Sequence, residues 1–263
     1  MPLITLTTDF GSSDSYVAQM KGVILAVNPN ARIVDVTHSI PPQDVARAAV
    51  VIESFIPAFP AGTLHVAVID PGVGSSRRLL AAEAAGQRFL APDNGVLAPV
   101  FNRWPPGQIR ELQNDRFWRN PVSSTFHGRD ILAPVAAHWS LDVDPTEFGP
   151  TIELDSLVPL HVPRPHRVGS ALVGRVEYAD SFGNLITNIA ASDLDDGPVE
   201  ISIAGRIIGR LWHCYSDQPV GAWLALIGSF GRLEIAVNGG SAARMLNVMP
   251  GAEVRVEPGE RGT

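Results

Sequence analysis

Four short polar clusters interrupt an otherwise apolar sequence: Thr8-Asp9, Asp70 within DPGVGSSRR (70–78), Asp93-Asn94-Gly95, and Phe126-His127-Gly128-Arg129-Asp130. They offer carboxylates, guanidinium groups, an imidazole and an amide. That set suits activation of a water molecule or capture of a polar ligand better than covalent catalysis. One acidic residue at a strand end is ordinarily a turn or helix cap. Three such ends in one sheet point to a site, because ligands of open α/β sheets bind outside the carboxyl ends of the strands. DPGVGSSRR has neither the spacing nor the lysine of a phosphate-binding loop. Gly72 and Gly74 instead let the backbone turn sharply, and either Arg77 or Arg78 then folds back toward Asp70.

Several other chemistries lack their motifs. There is no H-E-x-x-H, no G-x-S-x-G and no G-x-G-x-x-G, so a zincin, an ordinary α/β-hydrolase and a dinucleotide fold are excluded. A second group of polar residues lies further along, in YADSFGNLITNI (178–189), GSFG (228–231) and VNGGSAA (237–243). Taken singly these are hairpin turns. Together they can present amide, backbone and aromatic groups to a planar heterocycle.

Composition narrows the setting. The 263 residues are 45% hydrophobic and 18% charged, too apolar and too weakly charged for a disordered chain. A net charge of −7 argues against a nucleic-acid partner, which requires a basic face. The single cysteine, Cys214, allows no intrachain disulfide framework and no cysteine-based zinc site. The start MPLITLTTDF lacks the basic region of a signal peptide, and no apolar run approaches the roughly 18 residues of a membrane span. A cytoplasmic protein is expected. Of the 20 basic residues, only Lys21 is not arginine.

The elements that must position these groups follow from periodicity. LITLTTD (3–9) reads as a strand, Tyr16 to Val27 as a helix, ARIVDVTH as a strand, and DVARAAVVIESFIPAF as a helix capped by Asp44. TLHVAVID is a third strand running into the Asp70 segment. LLAAEAAGQRFLAPDNG gives two strands around an Ala85-Gly86 turn, and ILAPVAAHWSL a further helix. The expected fold class is α/β, with a mostly parallel sheet in the N-terminal domain (1–156). Three prolines in LVPLHVPRP mark a stiff linker over 157–168. Beyond it, 169–263 alternates between apolar runs and Gly or Asp turns, which predicts a smaller β-rich domain, barrel-like or sandwiched.

Seven segments, in order over nearly the whole chain, carry a resemblance: TLTTDFGSSDSYVAQMKG (5–22), DVTHSI (35–40), DPGVGSSRR (70–78), APDNG (91–95), TFHGRDILAPVAA (125–137), DSFGNLITNI (180–189) and LEIAVNGGSAA (233–243). In these the chain resembles the S-adenosyl-L-methionine (SAM) hydroxide adenosyltransferases, relatives of the SAM-dependent fluorinase and chlorinase. The resemblance implies an α/β N-terminal and a β-rich C-terminal domain, and a homotrimer with its site between one subunit's N-terminal domain and a neighbour's C-terminal domain. It implies hydrolysis of SAM to adenosine and L-methionine, with SAM as substrate and no cofactor or metal.

By the same resemblance, Asp70, Arg77 and His127 orient and activate water, Arg77 being chosen over Arg78 because it lies seven residues past the aspartate. Asp9 would hold the ribose hydroxyls, and Asp14 and Asp180 the methionine ammonium. Asn184 and the Val237-Asn238-Gly239 backbone would read adenine, Phe182 would pack nearby, and Ser229 would meet the amino-acid end. Where the fluorinase has an arginine for the methionine carboxylate, this chain has Phe230.

Three other readings compete. A SAM-dependent halogenase would use the same pocket for an anion, although an ionised Asp70 repels one. A metal-dependent phosphohydrolase would use Asp9, Asp70, Asp93, Asn94 and His127. A non-catalytic SAM or adenosine sensor would bind without turnover.

Overall fold

The computed structural model describes residues 3–259; residues 1–2 and 260–263, the outermost parts of the two expected domains, lie outside them. The chain divides into two compact units, Met1–His161 and Val162–Thr263.

In the first unit, strands β1 (Leu3–Thr8), β2 (Arg32–Thr37), β3 (Leu64–Val68), β4 (Leu79–Ala84), β5 (Gln87–Pro92), β6 (Ile109–Glu111) and β7 (Thr151–Ile152) form one sheet in the order β2-β1-β3-β5-β4-β6-β7. β2, β1, β3 and β5 run parallel; β4, β6 and β7 are added antiparallel. The α/β expectation therefore holds, with the antiparallel half entering through the hairpin at Ala85-Gly86, where both residues have positive φ (54° and 69°). β2 lies at the sheet edge and is largely exposed.

Helices cover both faces. α1 (Tyr16–Val27) and α4 (Ala133–Ser140) share a core with Ile4, Leu6, Val66, Val68 and Trp139. α2 (Val45–Phe55) and α3 (Ala98–Arg103) share another with Ala67, Ile69 and Phe89. The split follows the two-residue period of β3, which sends Val66 and Val68 to one face and Ala67 and Ile69 to the other. Asp44 caps α2 as expected, its side chain accepting from the Arg47 amide at 2.9 Å.

The second unit contains β8 (His166–Val168), β9 (Ala171–Ala179), β10 (Leu185–Ala190), β11 (Val199–Ile203), β12 (Arg206–Gly209), β13 (Leu211–Trp212), β14 (Trp223–Ile227), β15 (Arg232–Val237), α5 (Ala242–Leu246) and β16 (Glu253–Pro258). The strand order is β12-β11-β16-β9-β10-β15-β14-β13 with β8 on β9, and β12 returns against β14, so the sheet curls nearly into a barrel. One long strand makes the curl possible: β9 pairs with β16 through residues 172–175 and with β10 through 176–179. Leu233, Ile235 and Val237 of β15 face the barrel core; Ala236, between them, packs outside with Leu224 and Leu226.

Candidate active site

Asp70 comes two residues after Val68, past the carboxyl end of β3. The turn that follows is closed by the Val73 amide donating to the Asp70 carbonyl at 3.2 Å. This turn brings Arg77 back. Its Nε donates to Asp70 Oδ1 at 2.7 Å and its Nη2 donates to Oδ2, a two-point fork of the kind a lysine cannot make. The pair is largely withdrawn from solvent, with side-chain exposures of 10% for Arg77 and 6% for Asp70. Two glycines permit the turn. A Cβ on Gly72 would lie 3.0 Å from Arg77 Cδ, and one on Gly74, at φ +81°, would collide with the Ser124 carbonyl.

The third member arrives from a different element. Residues Gly128–Leu132 form a π-helical turn that runs directly into α4, and His127 stands at its start. Its Nδ1 lies 3.0 Å from Arg77 Nη2. A guanidinium nitrogen can only donate, so Nδ1 accepts and the ring proton sits on Nε2. Burial, followed by the charge of Arg77, holds this imidazole below its ordinary pKa, against the opposing pull of Asp70 and Asp130. Gly128 sets the approach: a Cβ there would stand 2.9 Å from Val68 Cγ1.

Asp130 is a brace. It is fully buried and takes hydrogen bonds from Arg119, Arg129 and the Ser123 amide, which ties residues 119–123 to the π turn.

Asp9 follows β1, and its Oδ2 accepts from the Gln43 amide at 2.7 Å. Gln43 has a positive φ of 65°, which aims that N–H, and nothing in the sequence marked it. The Asp9–Gly11 turn is further held by Thr8 Oγ1 at 2.9 Å from His38 Nδ1 and by the Gly11 amide on the His38 carbonyl. Phe126 meets the rings of Phe10 and Tyr16 edge-on at 5.6 and 5.3 Å, and those two rings meet at a tilt, which links the loops that carry Asp9 and His127. Asp14 is exposed just before Ser15, the residue that precedes the first turn of α1.

Asp93 and Arg78 work elsewhere. Arg78 forks onto Asp93 Oδ2 at 2.9 and 2.6 Å and also reaches Ser156, while Asp93 Oδ1 accepts from the Val158 amide. Of the two candidate arginines, Arg77 is thus the one on Asp70. Asn94 donates to the Ile69 carbonyl, which steadies the residue before Asp70. Among the described residues, no three His, Cys, Asp or Glu side chains come together as a metal-holding group.

The remaining candidates lie in the second unit. Asp180 Oδ1 accepts from the Phe182 and Asn184 amides at 2.9 Å, and its Oδ2 accepts from Asn184 Nδ2 at 3.0 Å. Gly183, at φ +87°, lets this loop close onto Ser241 at the start of α5. Phe182 and Phe230 are exposed at 79% and 55%, and Ser229 is exposed beside the latter. Val237 ends β15. Asn238 is committed internally: its amide donates to the Ala222 carbonyl, its carbonyl accepts from Gly221, and its side chain reaches the Gln218 carbonyl. Gly239 has φ +68°. Sequence reasoning missed Tyr215 and Glu234, whose hydroxyl and carboxylate join behind Asn184.

Comparison with known proteins agrees across the chain. Residues 4–149 match the family described as the SAM hydroxide adenosyltransferase N-terminal domain, and residues 174–255 match its C-terminal domain. The (R)-S-adenosyl-L-methionine hydrolase of Salinispora tropica is 39% identical, over 98% of both chains. A fluorinase of an Actinoplanes species is more distant, at 29% identity over 97% of both. A crystal structure of an uncharacterized conserved protein from Thermotoga maritima superposes with a TM-score of 0.90 at 34% identity, covering 97% of this chain and all of that one.

Proposed function

The chain belongs to the SAM hydroxide adenosyltransferase family, and on that premise we propose that it hydrolyses S-adenosyl-L-methionine to adenosine and L-methionine. One observation carries the reading: Arg77 is joined at once to Asp70 and to His127. This assembles, beyond the end of β3, a fork-bound carboxylate and an imidazole whose Nδ1 accepts and whose proton sits on Nε2.

The chemistry asks little more. The oxygen of water attacks C5′ of the ribose in line, the C5′–S bond breaks, and its electron pair returns to sulfur to give the neutral thioether of methionine. Positive charge disappears from the sulfonium as the bond breaks, so a pocket poor in water favours the transition state over a solvated ground state. The leaving group needs no acid. His127 donates from Nε2 to the attacking oxygen and Asp70 is the anionic acceptor for the proton that water loses. Orienting the nucleophile in this way can lower the barrier by roughly 7–11 kcal/mol.

Asp9, with Oδ2 fixed by Gln43, keeps Oδ1 for the ribose diol. Asp14 and Asp180 meet the methionine ammonium, and Ser229 its amino-acid end. Adenine is read by Asn184 and by the 237–239 segment through groups other than the Asn238 main chain, beside Phe182. SAM is the substrate, with no cofactor or metal in the scheme. We also infer a cytoplasmic homotrimer that completes each site from two subunits; a solution mass three times 28.1 kDa would support it. Among the described residues, no helix is long and apolar enough to cross a membrane.

The deciding experiment incubates the protein with SAM, with and without chloride, and separates the products by liquid chromatography. Adenosine and methionine in equal amounts are expected in both. A 5′-chlorinated nucleoside would favour the halogenase reading, and tight binding without product would favour a sensor.

A further inference from the structure

Behind Asn184 lies a part-buried chain of hydrogen bonds that the reaction itself does not use. Glu234 belongs to β15, and its flanking neighbours Leu233 and Ile235 face the barrel core, so strand alternation turns it to the opposite face. It is nevertheless only 5% exposed. Tyr215 covers it and donates its hydroxyl proton to Oε1, while Gly228 lies so close that a Cβ there would be 2.5 Å from Oε2. The Tyr215 oxygen in turn lies 3.5 Å from Asn184 Nδ2, which also donates to Asp180 Oδ2 at 3.0 Å.

The polarity of this chain is fixed from both ends. Oε1 of Glu234 accepts, so the single hydroxyl hydrogen of Tyr215 is committed to it. The hydroxyl can then only accept from Asn184. Asp180, at the other end, also only accepts. Both hydrogens of the Asn184 amide are therefore taken, and its Oδ1 is left as the group that can meet a ligand. The direction survives protonation of Glu234, because a proton on Oε2 leaves Oε1 an acceptor. Burial and the nearby Asp180 charge raise the Glu234 pKa, so this indifference matters.

We propose that Tyr215 and Glu234 are positioning residues that lock the Asn184 amide with its oxygen outward, and so select a purine carrying a 6-amino donor over one carrying a 6-oxo acceptor. This rests on the reading that Asn184 meets the nucleobase. An amino purine finds an acceptor; an oxo purine faces oxygen against oxygen and leaves a polar group unpaired, the situation in which hydrogen-bonding sites discriminate most strongly.

The test measures binding of adenosine and of inosine by calorimetry, and turnover of SAM, for the wild type, Tyr215→Phe and Glu234→Gln. Wild type is expected to prefer adenosine. Tyr215→Phe frees one amide hydrogen and the preference falls by roughly tenfold, with KM for SAM rising more than kcat falls. Glu234→Gln keeps an acceptor oxygen for Tyr215 and retains most of the preference, which a merely structural role would not predict. A Tyr215→Phe protein with the wild-type preference, or a wild type that turns over SAM yet binds both nucleosides equally, overturns the assignment. Wild-type SAM turnover reports separately on the proposed function. Should Tyr215→Phe fail to fold, Glu234→Leu removes the same anchor and is read in the same way.

Discussion

Nη2 of Arg77 donates to Asp70 and at the same time lies 3.0 Å from Nδ1 of His127, so one cation fixes the orientation of a carboxylate and the tautomer of an imidazole. Protonating His127 would put an N–H on Nδ1, facing another N–H. The resulting pH dependence has a definite sign. Burial and Arg77 hold the His127 pKa below 6.5, so kcat should be flat near neutrality and fall with acidification only below that value. A kcat–pH profile with its acid limb above pH 6.5 would contradict the neutral-histidine assignment.

Removing either of the two groups proposed to act on water should cost catalysis and spare the fold. Asp70→Asn and His127→Ala are expected to lower kcat by on the order of 10²–10⁴, the usual range for acid–base groups. Circular dichroism and oligomeric mass should remain those of the wild type. Turnover within threefold of wild type in either variant would remove that residue from the site.

The adjacent arginines should separate cleanly. Arg77→Lys loses the fork that spans Asp70 and His127, and kcat should drop roughly 10- to 100-fold with little change in Tm. Arg78→Lys weakens the hold on Asp93, whose side chain is 3% exposed. It should cost about 1–3 kcal/mol of stability while kcat changes less than threefold. Steady-state kinetics and thermal unfolding on the two proteins decide the matter, and a reversed pattern would exchange their roles.

Much of this arrangement was legible beforehand because it follows from periodicity and strand ends. The bounds of α1, the Ala85-Gly86 hairpin and the return of an arginine to Asp70 all follow from local spacing. What the sequence hid depends on contacts between distant residues. Gln43 serves Asp9 across 34 residues through a main-chain N–H, a group that carries no residue signature. Glu234 sits in LEIAV, where it reads as the solvent-facing member of an alternating strand; Tyr215, 19 residues earlier, and Gly228 close over it instead. Asp93 reads as one of the three reactive strand ends, yet Arg78 occupies it.

A second histidine gives a prediction about stability alone. His65, buried among Phe55, Phe59 and Phe89, bonds Thr5 and Gln87. Because Gln87 Nε2 donates to the Ile56 and Phe59 carbonyls, its oxygen must accept, which places a proton on His65 Nε2. Burial lowers the His65 pKa to about 4. The unfolded chain takes up this proton near pH 6.5 and the folded chain only near 4, so the unfolded state binds more protons between them and stability falls as pH drops through that window. The loss attributable to this residue should approach about 3 kcal/mol. Chemical denaturation at several pH values checks it: His65→Gln should flatten the slope between pH 6.5 and 4, whatever its absolute stability.

The π-helical turn at Gly128–Leu132 has a consequence for how this protein tolerates change in length. A π turn is an α turn holding one surplus residue. Deleting one residue there would let the helix run on without interruption into α4, a gain in regularity. It would also swing everything before it by about 100° around the helix axis, turning His127 away from Arg77. Helical order and the proposed aim of His127 are thus set against each other at one position. A library of single-residue deletions across 126–134, sorted for thermal resistance alone, would therefore be expected to enrich proteins that fold well and do nothing.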